Sequence, residues 1–81
     1  MTFVELPLIA DNGSTILIWV NWDNVVAALD FEDKVRISTT NSNDSVAIDL
    51  DTTAVELIEV VTRYPELRFL SLNEIQYRLK N

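Results

Sequence analysis

Five consecutive apolar residues, Ile16, Leu17, Ile18, Trp19 and Val20, follow the chain's only glycine and leave no polar face for water. A strand of that kind has to be covered on both sides or lie at an interface between molecules. The greasy stretch runs on through Trp22 to Leu29 and so holds both tryptophans. The rest of the chain is read as what covers it.

Upstream, Phe3-Val4-Glu5-Leu6-Pro7-Leu8-Ile9 reads as a strand. Pro7 cannot donate to a ladder, which places this strand at a sheet edge or gives it a bulge. Asn12-Gly13 between two apolar runs is a strong hairpin signal, because both residues tolerate positive φ. The spacing therefore pairs residues 3–9 with residues 15–21.

Residues 21–30 carry two patterns. Trp22, Val25, Val26 and Leu29 fall at helical spacing with Asn21 as a cap. The β-branched pair Val25-Val26 and the shortness of the segment favour one helical turn at residues 22–24 leading into a strand at 25–29. Phe31-Glu32-Asp33-Lys34 is a polar turn, and residues 35–39 alternate as a half-buried strand does. A polar turn over residues 40–45, Asn43 included, leads to a returning strand at 46–50.

Thr53 and Glu56 form a capping box at the start of a helix whose apolar stripe is Ala54, Leu57, Ile58, Val61 and Tyr64. Glu59 and Arg63 are spaced to pair on its wet face, and Pro65 ends it. The tail reads two ways. Ile75, Tyr77 and Leu79 alternate with polar residues like a strand, whereas Ser71 and Glu74 make a second capping box before a helical pattern. The helix is preferred, with residues 67–70 extended before it. The expected fold is α+β, a single domain over residues 1–81. It has a small antiparallel sheet of about five strands in two hairpins, one amphipathic helix packed on it, and a short C-terminal helix or strand.

The order Leu8…Asn12-Gly13…Val20-Asn21-x-Asp23-x-Val25-x-x-x-Leu29…Val35-x-Ile37…Val46-x-Ile48…Val55…Leu57-Ile58 resembles the small flagellar-operon FlbD-like proteins. The likeness spans roughly residues 6–62. It implies a topology only: a hairpin, an Asn-x-Asp-x-aliphatic turn into another strand, a second hairpin and a short amphipathic helix. The chain departs from that family in having Asn41-Ser42-Asn43-Asp44 where the family shows Asn-Gly. It also has a longer interval from its first turn to Asn21 and an additional C-terminal segment.

Charge narrows the functional classes. The net value is −7, and residues 1–59 hold eleven Asp and Glu against Lys34 and Arg36, a balance of −9. Residues 60–81 hold Arg63, Arg68, Arg78 and Lys80 against Glu66 and Glu74, a balance of +2. Such a surface repels nucleic acid and attracts a basic protein; its plainer use is to keep a small domain soluble. Without cysteine or histidine there is no thiolate zinc site and no nucleophile–imidazole pair. No catalytic, metal or cofactor site is expected. Asp49-x-Asp51 could offer oxygens to Mg²⁺ or Ca²⁺, but two carboxylates without further ligands read as a solvated strand face.

No apolar run reaches the length of a membrane span and the start of the chain lacks a basic-then-apolar leader, so a cytoplasmic protein is expected. The sequence points to a non-enzymatic acidic binding protein, an inhibitor or regulator of phage, plasmid or immunity type. Its partner would be a larger protein with a basic, nucleic-acid-handling surface. The expected contacts are Asp23, Asp30, Glu32, Asp33, Asp44, Asp49 and Asp51, with Trp22 as apolar anchor; both tryptophans read first as core, and if one is exposed it becomes the best candidate for an interface anchor. The alternative is a structural subunit that self-associates through strand edges and an acidic-to-basic head-to-tail contact.

Overall fold

The computed structural model describes residues 2–42 and 44–80; Asn43, expected in a polar turn, lies outside them. Six strands and two helices are found among these residues: β1 (Phe3–Ile9), β2 (Thr15–Asn21), β3 (Val25–Phe31), β4 (Lys34–Thr39), β5 (Ser45–Ile48), α1 (Ala54–Thr62), β6 (Phe69–Leu70) and α2 (Leu72–Lys80). This is the expected α+β class, with an antiparallel sheet in the order β2-β1-β5-β4-β3 and β6 added parallel to β1.

The Asn12-Gly13 hairpin forms with Phe3 opposite Asn21 and Ile9 opposite Thr15. Gly13 takes a φ of +87°, the conformation that this turn requires and that other residues resist. Asn12 closes the turn by accepting from the Ser14 N–H and hydroxyl. The second hairpin turns through Glu32 and Asp33, both at positive φ (50° and 65°), as a two-residue loop between right-twisted strands demands.

A single turn of 3-10 helix, Trp22–Asn24, joins β2 to β3, and those are the two outer strands of the sheet. Across a flat sheet, four strand spacings would separate them by roughly 19 Å. The four residue steps from Asn21 to Val25 reach at most about 14 Å even when extended. The sheet therefore curls until its two edges approach at this turn. Hydrogen bonds hold both sides of the joint: Trp22 N–H to Thr2 O and Thr40 N–H to Asn24 O, each 2.8 Å. Asn21 caps the turn by accepting from the Asp23 N–H.

Both helices fill the concave face. Val4, Leu6, Val20, Val35, Ile37, Ile48 and Leu70 from the strands meet Ala54, Leu57, Val60 and Val61 of α1 and Ile75 of α2. The capping boxes form as expected at their N-terminal halves, with Thr53 accepting from the Glu56 N–H and Ser71 from the Glu74 N–H. Two strand carboxylates supply further caps: Asp30 accepts from the Ala54 N–H and Glu5 from the Leu72 N–H, each at 3.0 Å. Each helix is thus tied to the sheet at its orphan donors as well as by its apolar side chains.

Several expectations are corrected. The run 16–20 is not wrapped by the chain: β2 is an outer strand, and of these five residues only Val20 is buried. The Pro7 strand is neither an edge nor bulged; β1 is interior, flanked by β2 on one side and by β5 and β6 on the other. The Pro7 carbonyl accepts from the Asp49 N–H, so its missing donor falls on that same side, at the handover from β6 to β5. In α1, Val60 takes the buried position expected of Ile58, which is exposed, while Tyr64 is half-buried beneath Arg78 at 3.7 Å. The returning strand ends at Ile48 rather than Leu50. Glu59 and Arg63 share only a helical backbone bond. The ion pairs among the described residues are Lys34–Asp49 and Glu74–Arg78.

Candidate functional site

Antiparallel pairing sorts six of the seven expected acidic contacts into two groups and leaves Asp49 apart. The β3–β4 turn carries Glu32 and Asp33, Asp30 precedes it, and the segment that leaves β5 for α1 brings Asp51 beside them. Asp30, Phe31, Glu32, Asp33, Lys34, Asp51, Thr52 and Thr53 line one shallow concavity. Asp23 and Asp44 lie at the other end of the β3–β4–β5 meander, within the 3-10 turn and in the β4–β5 turn. The six residues of β4 separate those ends by roughly 20 Å. One docking surface does not take in all seven.

Within the concavity the carboxylates differ in freedom. Asp30 is committed to the N-terminus of α1. Glu32, Asp33 and Asp51 are exposed and make no ion pair with another described residue. Lys34 is the only cation lining the concavity, and it is drawn away by Asp49 at 3.3 Å. Asp49 also accepts from the Thr15 hydroxyl at 3.0 Å. The Thr15 hydrogen bond first, and then the Lys34 ammonium, hold the Asp49 carboxyl below its ordinary pKa of 3.8. Asp49 is therefore part of a surface clamp across β2, β4 and the end of β5 rather than a free contact. It does not join Asp51 on a strand face. Among the described residues no three Asp or Glu side chains converge as metal ligands would.

Glu56 is a residue that sequence reasoning left out of this group. It accepts from the Thr52 hydroxyl at 3.4 Å, which brings a further carboxylate to the rim. Its spacing to Thr53 marked it only as a helix cap. Phe31, about half exposed, sits among the acids with Arg36 over its ring at 5.5 Å.

The tryptophans divide as their strands do. Trp22 is half-buried and packs against the core, whereas Trp19 is 48% exposed. On the open face of the sheet Trp19 meets Phe69 edge-on at 5.9 Å, and Phe69 stacks on Phe3 at 5.8 Å. Leu17, 56% exposed and two residues before Trp19, faces the same way. Ring quadrupoles favour both arrangements.

No family model, curated protein or solved structure matches the chain. Among the described residues no helix is long and apolar enough to cross a membrane.

Proposed function

We propose that this chain is a small non-enzymatic binding protein, an inhibitor or regulator of phage, plasmid or immunity type. It docks on a basic, nucleic-acid-handling surface of a larger protein. The observation that carries the reading is the concavity in which Glu32, Asp33 and Asp51 stand unpaired around the half-exposed Phe31. Clustered carboxylates steer a basic partner toward the site, and an adjacent aromatic ring gives that partner something to bury. Asp23 and Asp44, at the far end, contribute to the general field rather than to the contact.

The test compares the wild-type chain with a Glu32→Lys/Asp33→Lys variant as bait in cell extract at low salt. A protein retained by the wild type, lost by the variant and released as salt rises is the expected result. Retention that ignores both the charge reversal and the salt would refute the reading. A second reading, a self-associating structural subunit, is supported by the exposure of residues 16–19 on an outer strand.

A further inference from the structure

We propose that two copies of this chain associate by pairing their β2 strands antiparallel about a two-fold axis through Ile18. This deepens the self-association reading, and it uses residues that the acidic docking site does not.

The phase of the β1–β2 ladder sets which peptide groups are available. The Phe3 N–H is given to Arg68 and the Pro7 carbonyl is taken by Asp49, so odd-numbered residues of β1 face away from β2. Val4, Leu6 and Leu8 face it, opposite Val20, Ile18 and Ile16. It follows that the peptide groups of Leu17 and Trp19 point outward from the sheet. Among the described residues no strand adjoins them. Ile16, Leu17 and Trp19 are 50%, 56% and 48% exposed, so both faces of this edge are open.

The strand is complementary to itself. A two-fold axis at Ile18 sets Leu17 opposite Trp19 of a second copy, and Ile16 opposite Val20 of that copy. Leu17 and Trp19 then exchange their outward N–H and C=O groups in two symmetry-related pairs. On the open face each Leu17 lies against an indole, a favourable cross-strand pair, and the row through Phe69 and Phe3 continues that apolar surface. Charge singles out the same element. Two bodies of net charge −7 repel, yet residues 13–22 contain no charged side chain, so this approach brings neutral surface to neutral surface.

Sedimentation of the wild-type chain from micromolar to millimolar concentration, at low and high salt, is the first measurement. A concentration-dependent dimer that salt does not weaken is expected, because salt screens the repulsion and leaves strand pairing intact. A monomer at every concentration overturns the proposal. So does a dimer that salt dissolves, which would assign association to an acidic-to-basic contact.

Leu17→Pro removes one outward N–H and no bond to β1, so it should weaken dimerisation at least about ten-fold while leaving the melting temperature of the monomer in place. Leu17→Lys, at an exposed site, should do the same by burying a charge. Dimerisation unchanged in both variants overturns the proposal. The register has its own test. Antiparallel residues outside a hydrogen-bonded pair have Cα atoms about 4.5 Å apart, within disulfide reach. In this cysteine-free chain, Ile18→Cys should therefore cross-link to itself on oxidation while Ile16→Cys does not. Equal cross-linking at the two sites, or none, overturns pairing about Ile18. The Glu32→Lys/Asp33→Lys variant leaves β2 untouched, so failure of acidic docking and failure of strand pairing are told apart.

Discussion

The sheet has two outer strands, and they are treated differently. β3 is guarded in the ways proteins guard an edge. Its register shifts between Val25 and Ala27, Asp30 interrupts its apolar run, and that carboxylate ties the strand to the N-terminus of α1. β2 has no charge, no proline and an unbroken register with β1, and its most apolar residues are open to solvent. The contrast separates two meanings of apolar sequence. In β1 and β4 the apolar side chains hold the fold together, whereas in the outer half of β2 they are surplus to it.

That distinction gives the largest expected effect. Leu6 is fully buried opposite Ile18, and Leu6→Ala should cost about 3 kcal/mol in chemical denaturation. Ile16→Ala, on the outer strand, should stay within about 0.5 kcal/mol in dilute solution. Equal losses would mean that β2 is structural after all. A smaller effect tests the guard on β3: Asp30→Ala removes the acceptor for the Ala54 N–H and should cost about 1 kcal/mol. If that variant melts like the wild type, the tie between β3 and α1 contributes nothing to holding the edge.

The smallest effect belongs to the Asp49 clamp, which joins β2 to Lys34. The folded-state pKa of Asp49 lies below its unfolded value near 3.8. Its contribution is thus fully present above the unfolded value and is lost as pH falls through the folded one. Asp49→Asn should be slightly less stable than the wild type at neutral pH, and the two should converge in acid. A difference that persists or widens in acid would show that the carboxylate charge is not what matters.

Local chemistry was legible in the sequence and strand order was not. Asn12-Gly13, the Thr53 and Ser71 caps, the 3-10 turn after Asn21 and both helices follow from residue types at short spacing, and they form as that chemistry requires. Apolar patterning says that a strand has buried sides without saying which strands lie beside it. The run at 16–20 therefore reads as a strand that is either covered on both sides or set at an interface, and Pro7 makes the true interior strand read as an edge or a bulged strand. Pro7 is tolerated inside the sheet because two different strands share that side of β1, leaving a gap in the ladder where it sits. Of the site, the individual acids were legible, but their division into two ends depends on hairpin geometry, and the commitment of Asp30 and Asp49 to structural bonds depends on tertiary contacts.

The bulge between Val25 and Ala27 also bears on how far assembly can go. A molecule with two receptive edges would line up neighbour after neighbour into a fibre. With β3 kinked and fastened to α1, β2 is the one outer strand left open among the described residues, so strand pairing of the kind proposed would close at two copies.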